Sequence, residues 1–181
     1  MNTWFVLAAL TWFGSSLAQP SCAPGPFVAD TFDIFNFTIL RSYHDVSRQL
    51  SLYETPVGEI ISLFDFNEGL LYANPPNDTC YVFRNPDSKN TMAALGLAKE
   101  KLEFTPHGET LHGYEHTNGV FTTRIILSDT CQINFLSFLV NNRVGAAYSF
   151  YNQRDFTNDD TQRVQDAKAT FEAADCIKPW N

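Results

Sequence analysis

Positive charge is scarce in this 181-residue chain. It holds 12 lysines and arginines against 20 aspartates and glutamates, which gives a formal net charge of −8. Nucleic-acid binding relies on basic side chains to neutralise phosphates, and anionic membranes attract basic segments, so the composition disfavours both partners. With 44% hydrophobic and 18% charged residues, the chain has the composition of a globular protein, and its length favours one domain.

The chain has only one long apolar run, and that run lies near the N-terminus at residues 4–13. It is too short to cross a bilayer, which takes about 20 residues. Ser16 and Ala18 follow it as the small residues that a signal peptidase requires. We therefore predict a signal peptide over residues 1–18 and a secreted domain over residues 19–181, with no transmembrane anchor.

No Cys-x-x-Cys pair occurs, which leaves zinc ribbons and thioredoxin-like redox sites without support. All four cysteines follow the predicted signal peptide, at Cys22, Cys80, Cys131 and Cys176. An even number of cysteines in a secreted chain predicts two disulfides, and three pairings are open. In such a chain the two N-x-S/T sequons become candidate glycosylation sites, at Asn36 and Asn77.

Two-residue periodicity dominates the rest of the sequence. Apolar and polar residues alternate in many short segments, for example at 35–39 and 133–139. Hairpin turns are indicated by three short sequences, namely Asn67-Glu68-Gly69, Asn118-Gly119 and Asn141-Asn142. About eight or nine strands of this kind predict a mainly antiparallel β fold.

Two segments depart from the two-residue period. Residues 91–102 contain helix-forming side chains but also Gly96, which predicts a weak helix. Residues 158–174 predict a C-terminal amphipathic helix that packs on the sheet, with Asn158 as its N-cap. Its apolar stripe consists of Val164, Ala167, Phe171 and Ala174.

One sequence matches a catalytic signature. His112-Gly113-Tyr114-Glu115-His116 has the H-x-x-E-H pattern of zinc metalloproteases. That metal site requires a helix, whereas on a strand His112 and His116 would lie about 13 Å apart. Gly113 and the hairpin signal that follows favour a strand. A zinc hydrolase acting through His112, Glu115 and His116 is therefore a remote alternative.

Other sequence signatures provide no support for a catalytic site. Neither a G-x-S-x-G elbow, a P-loop nor a Rossmann glycine pattern occurs after the predicted signal peptide. Asp155, Asp159 and Asp160 carry oxygen ligands that suit calcium, but no EF-hand loop surrounds them, and a solvated helix start is the preferred interpretation.

Phenylalanine is abundant: 14 of the 16 residues follow the predicted signal peptide and are spread over nearly every expected strand. Such residues either fill a solid core or line an apolar cavity, and composition alone leaves both open. If a cavity exists, Leu63 and Phe135 are the proposed markers of its lining, because each lies in an apolar run far from a cysteine.

The order of several short motifs resembles the ependymin family. Cys22-Ala23-Pro24 is similar to the C-x-x-P start of that family, and residues 43–50 are similar to its YD…xxR hairpin. Residues 61–72, followed by Cys80, resemble its hydrophobic hairpin before a cysteine. The end of the chain is also similar, at Asp129-Thr130-Cys131, Asp155-Phe156 and Cys176.

The resemblance implies two stacked antiparallel β-sheets, related to bacterial lipoprotein carriers, that enclose a hydrophobic pocket. It implies pairing of Cys22 with Cys131 and of Cys80 with Cys176. It also implies a secreted or lysosomal glycoprotein without catalytic residues, associated with lipid binding, calcium-linked conformational change and the extracellular matrix. The favoured function is binding of a lipid or other small hydrophobic ligand. An adhesive matrix protein is the alternative, no cofactor other than calcium is expected, and a homodimer stays open.

Overall fold

The computed structural model describes residues 25–74, 79–91, 99–105 and 108–179. The predicted signal peptide, Cys22 and Asn77 therefore lie outside the described residues. The strands are β1 (Phe27–Asp33), β2 (Thr38–Asp45), β3 (Leu50–Glu54), β4 (Ile60–Asp65), β5 (Leu70–Ala73), β6 (Tyr81–Arg84), β7 (Lys99–Phe104), β8 (Leu111–Asn118), β9 (Phe121–Ser128), β10 (Ile133–Val140) and β11 (Arg143–Asp155). A long helix, α1 (Asn158–Ala173), follows them.

The described strands form one antiparallel sheet in the order β6-β5-β4-β3-β2-β1-β11-β10-β9-β8-β7. Neighbours are consecutive in sequence except where β11 pairs with β1. The sheet thus consists of two meanders that are joined edge to edge by the first and last strands. The predicted mainly antiparallel β fold with a C-terminal helix is confirmed.

The sheet is strongly curled. The rings of Phe64 in β4 and Phe138 in β10 have centroids 5.8 Å apart, although their strands lie five positions apart in the sheet. A flat sheet would separate those strands by about 24 Å, at ~4.8 Å per strand. The two halves therefore face each other as a half-barrel. The resemblance implied two stacked sheets, but the described strands form one continuous sheet that curls on itself.

Hydrophobic cores lie on both sides of the sheet. The inner core fills the concave side and contains large aromatic side chains, among them Phe27, Tyr53, Phe66, Phe138 and Tyr148. The outer core lies between the convex side and α1, and includes Leu52, Leu63, Val164, Ala167 and Phe171. Strands beneath the helix are consequently buried on both faces, and β3 has no exposed residue.

The N-cap of α1 lies one residue earlier in the sequence than predicted. Thr157, not Asn158, is the N-cap, and it forms a reciprocal capping box with Asp160. This arrangement satisfies two backbone donors at once, because each side chain accepts a bond from the other residue's N–H group. The predicted stripe is confirmed for Val164, Ala167 and Phe171, which are buried, while Ala174 is the exposed C-cap.

Ion pairs also fix α1 on the sheet. Arg163 Nε donates to Glu54 Oε1 over 2.6 Å, and Lys168 Nζ donates to the carboxylate of Asp65. Both carboxylates are buried, with 3% and 1% of their residue surface exposed. Buried charges are tolerated when they are paired in this way, so the two pairs set the position of the helix along β3 and β4.

The expected weak helix over residues 91–102 is wrong in its described C-terminal part. Lys99–Phe104 is strand β7, which pairs with β8. Sheet pairing supplies hydrogen bonds that outweigh the weak helix propensity of this segment. Residues 92–98 lie outside the described part of the chain. The hairpins predicted at 67–69, 118–119 and 141–142 are all confirmed, but the second turn consists of Gly119 and Val120, because Asn118 pairs with Phe121.

A disulfide joins Cys80 to Cys176, as the resemblance implied, with their Cα atoms 4.8 Å apart. Beside it, Val82 N donates to Ile177 O and Ile177 N donates to Cys80 O, each over 2.9 Å. The segment after α1 is thereby attached to β6. No described cysteine is free, and the predicted partner of Cys131 lies outside the described residues.

Candidate functional site: an apolar cleft in the half-barrel

An apolar cleft lies between the inner faces of β4–β6 and of β10–β11. It has two overlapping parts, with volumes of about 460 Å³ and about 210 Å³. The larger volume falls within the range of about 300–1,000 Å³ that is usual for small-molecule sites. Both parts are lined by Phe64, Leu71, Phe83, Gly145 and Ala146.

Strand register explains why these side chains share one wall. Phe64 pairs with Leu71, and Leu71 pairs with Phe83, across three adjacent strands. Directly paired residues point to the same face of a sheet, so the three form an apolar row. Phe83 is the outermost of the three and is 44% exposed.

Small residues on the opposite wall leave the space. Ala146 pairs with Phe138, and Gly145 lies in a bulge where the register shifts between Phe138 and Leu139. A Cβ atom placed on Gly145 would meet only the backbone oxygen of Phe138, at 3.8 Å. On this wall, the smallest side chains, those of Gly145 and Ala146, lie where the two parts of the cleft overlap.

Stacked rings form the floor of the cleft. The Phe138 ring lies 5.5 Å from Phe121 and 5.9 Å from Phe66. Deeper in the inner core, Tyr53 stacks on Tyr148 with ring centroids 4.8 Å apart. The Phe121 and Phe138 rings therefore offer an apolar aromatic surface to a ligand.

One end of the larger part is polar. Asp33 and Tyr148 are direct partners between β1 and β11, and both line the cleft together with Asn36. Asp33 Oδ1 accepts from Phe35 N at 2.9 Å and from Asn36 N at 3.1 Å, while its Oδ2 accepts from Asn36 Nδ2 at 2.8 Å. Burial and the negative charge of Asp33 raise the pKa of Tyr148. Tyr148 is therefore neutral.

A buried histidine lies in the inner core and was not identified from the sequence. His44 is fully buried, its Nδ1 lies 2.9 Å from Ser51 Oγ, and its ring stacks on Phe27 at 4.5 Å. Its Nε2 has no hydrogen-bond partner among the described residues. Burial lowers the pKa of His44 to about 3, so the ring is neutral. It packs as an aromatic residue.

The H-x-x-E-H sequence lies on strand β8, as predicted. His112 Nε2 is 2.9 Å from Asp129 Oδ1, and Arg124 Nε donates to Glu115 Oε2 over 2.9 Å. Successive residues of a strand point to opposite faces, so Glu115 lies on the other face from His112 and His116. No group of three metal-ligating side chains occurs among the described residues.

The three aspartates near the helix start do not converge either. Asp160 accepts from Arg154 at 2.6 and 2.8 Å, and it also completes the capping box. Asp159 is an exposed first-turn residue, which fits the preferred interpretation of this segment as a solvated helix start. Calcium binding stays a prediction.

Neither proposed pocket marker is among the cleft-lining residues. Leu63 is completely buried in the outer core beneath α1, while its neighbour Phe64 lines the cleft. Phe135 lies next to Leu136, which belongs to the inner core, and so points to the opposite face. In both cases the assignment of faces was shifted by one residue. In each strand two apolar residues are adjacent, Leu63 with Phe64 and Phe135 with Leu136, so alternation does not distinguish the faces.

Asn36 is exposed in the turn between β1 and β2, at the polar end of the cleft. The turn also exposes Phe35 and Phe37. An exposed position in a turn is compatible with glycosylation of Asn36, and this modification stays a prediction.

No family model matches the chain, and a search of curated proteins finds no match. No described helix combines the length and the hydrophobicity needed to span a bilayer.

Proposed function

We propose that this chain is a secreted, non-enzymatic glycoprotein that binds a small hydrophobic ligand in the cleft of the half-barrel. The observation that carries the proposal is the continuous apolar row of Phe64, Leu71 and Phe83 facing the small residues Gly145 and Ala146. Three large apolar side chains opposite two small ones leave a cleft of ligand size instead of a closed core.

The expected affinity follows from apolar burial. A ligand that buries about 300 Å² of apolar surface gains about 7.5 kcal/mol at ~25 cal/mol per Å². Loss of translational and rotational freedom offsets part of this gain. A dissociation constant of micromolar order or weaker is therefore expected unless polar contacts add to it.

A cavity-filling variant tests the proposal. Ala146→Leu places a larger side chain in the overlap of the two parts, and it is expected to weaken binding of the neutral fluorescent probe N-phenyl-1-naphthylamine at least 10-fold. Ala173→Leu is the matched control, since Ala173 is exposed on α1 and away from the cleft. Denaturation curves of both variants check that the fold is retained.

Two results would contradict the proposal. Wild-type protein that binds neither the probe nor any co-purifying molecule in native mass spectrometry would exclude a ligand site. Equal probe binding by the wild type and Ala146→Leu would place the site elsewhere.

The membership of the ependymin family and the secretion of the chain are parts of the same proposal. N-terminal sequencing of protein made in a secretory host is expected to start at Gln19, and glycosidase treatment is expected to lower its mass. An intact Met1 would count against the signal peptide.

A matrix or adhesive protein is the second candidate, and one observation favours it. The turn between β1 and β2 exposes Phe35 by 53%, Phe37 by 80% and, in the following strand, Ile39 by 64%. Exposed apolar clusters often mark interaction sites. Self-association measured by sedimentation, and lost in a Phe35→Ser, Ile39→Ser variant with normal probe binding, would support this candidate.

A further inference from the structure

We propose that the cleft selects amphiphiles whose head group donates a hydrogen bond and carries no negative charge, such as long-chain alcohols or amines, and that Asp33 and Tyr148 bind this head group. This inference rests on the proposed function. It adds a head-group preference that apolar lining alone does not provide.

Asp33 and Tyr148 are neighbours in the lining of the cleft. Asp33 on β1 and Tyr148 on β11 are direct cross-strand partners, only 8% and 7% exposed, and both line the larger part of the cleft. Side chains of such partners have Cβ atoms about 5 Å apart. One small head group can therefore contact both.

Asp33 and Tyr148 both have unused hydrogen-bonding capacity. The Tyr148 hydroxyl has no hydrogen-bond partner among the described residues, and Tyr148 lines the cleft. Asp33 Oδ2 accepts a single bond, from Asn36 Nδ2, and an ionised carboxylate oxygen can accept two. A ligand hydroxyl that donates to Asp33 and accepts from Tyr148 would satisfy both groups.

The charge of the cleft lining disfavours an anionic head group. The larger part of the cleft contains Asp33 and has no lysine or arginine among its described lining residues. A carboxylate head would lie beside the Asp33 carboxylate in a partly desolvated site, where like charges repel strongly. Arg84 lines only the smaller part, at the other end of β5 and β6, so it does not offset this repulsion for a head group at Asp33.

The test compares three ligands with the same chain length. Dodecanol, dodecylamine and dodecanoate compete with N-phenyl-1-naphthylamine for the full chain at pH 7. We expect the alcohol and the amine to bind at least 10-fold more tightly than the carboxylate. Dodecanol separates hydrogen bonding from charge attraction, because it has no charge.

Two variants assign the preference to the pair. Tyr148→Phe keeps the ring stacked on Tyr53 and removes only the hydroxyl, so dodecanol should bind about 3- to 10-fold more weakly with probe binding unchanged. Asp33→Asn keeps an acceptor for the turn and removes the charge, and it should tighten dodecanoate about 5-fold or more. Tyr81→Phe removes another hydroxyl from the cleft lining and should change none of these affinities.

The outcomes separate this inference from the proposed function. Two results would overturn the head-group preference and leave the apolar site intact, provided that the wild type binds the probe. One is that dodecanoate is the tightest of the three ligands, and the other is that Tyr148→Phe leaves the affinity for dodecanol unchanged. Failure of the wild type to bind the probe and all three ligands overturns both proposals. If Asp33→Asn does not fold, the ligand series and Tyr148→Phe still decide the result.

Discussion

Arg154 and Asp160 form a bidentate ion pair, with Nη1–Oδ2 and Nη2–Oδ1 distances of 2.6 and 2.8 Å. The pair joins the end of β11 to the first turn of α1. Asp160 also accepts from Thr157 N at 2.8 Å, so one carboxylate connects the last strand, the cap and the helix. Charge-assisted hydrogen bonds therefore hold the junction between sheet and helix.

Acid should weaken this junction. Hydrogen bonds from Arg154 and Thr157 hold the pKa of Asp160 far below its usual range. A lowered carboxyl pKa contributes stability that is present above the ordinary pKa of about 4 and is lost as pH falls below it. Asp160→Asn should lower the free energy of unfolding at pH 7 by about 2 kcal/mol and remove this part of the acid dependence. Urea denaturation between pH 7 and 3 measures both effects.

Asp159→Asn is the control for that experiment, because Asp159 is exposed in the same helical turn. It should change the free energy of unfolding by only about 0.3 kcal/mol. Equal losses in the two variants would mean that the ion pair contributes nothing beyond the helix dipole.

His44 should make the free energy of unfolding depend on pH in a higher pH range than Asp160 does. Burial lowers its folded-state pKa to about 3, whereas the unfolded residue titrates near 6.5. The unfolded chain therefore binds the proton more readily, and stability is complete above pH 6.5 and is lost as pH falls. The free energy of unfolding should be about 2 kcal/mol lower at pH 5 than at pH 7.

A His44→Phe, Ser51→Ala double variant removes the titrating ring without leaving the Ser51 hydroxyl unpaired. Its free energy of unfolding should lose most of the dependence between pH 7 and 5. An unchanged slope, or an NMR titration in which the His44 ring protonates near pH 6, would refute the neutral buried state.

Sequence patterns predicted local features well and long-range ones poorly. The hairpin indicated by Asn118-Gly119 and the buried stripe of α1 follow from residues that are adjacent or a few positions apart. Even the corrected N-cap has a sequence signal, since Thr157 and Asp160 have the spacing of a capping box. These features depend on chain chemistry that is complete within one turn or one helix.

The candidate site could not be predicted in the same way. Asp33 meets Tyr148 only because β1 pairs with β11, and no local signal specifies that pairing. Periodicity also failed in β4, where α1 covers the face that would otherwise be exposed. When both faces of a strand are buried, apolar residues occupy both, and alternation no longer indicates which face lines a cavity.

Removing the Cys80–Cys176 disulfide should destabilise the protein substantially. The bond spans 96 residues, and closing a loop of that size restricts the unfolded chain enough to contribute about 4 kcal/mol. A Cys80→Ser, Cys176→Ser variant should lose about this much free energy of unfolding. Hydrogen exchange at the Val82 and Ile177 amides should accelerate most, because the backbone bonds beside the disulfide hold the edge strand β6.

A result below about 1 kcal/mol would mean that α1 holds the C-terminal segment without the disulfide. Exchange at Ile125, which is buried in the inner core, serves as the internal control. The exchange rate of the Ile125 amide should increase only as much as the loss in the free energy of global unfolding requires.

Leu63 and Phe64 are adjacent residues on opposite faces of β4, and they separate core packing from ligand binding. Leu63 is completely buried beneath α1, so Leu63→Ala should lower the free energy of unfolding by about 3 kcal/mol and leave probe affinity unchanged. Phe64 is only partly buried and borders the cleft. Phe64→Ala should therefore lower stability by no more than about 2 kcal/mol but weaken probe binding about 5-fold or more. Denaturation and fluorescence titration of the two variants measure both quantities, and the reverse order of effects would show that the ligand contacts the convex side of the sheet.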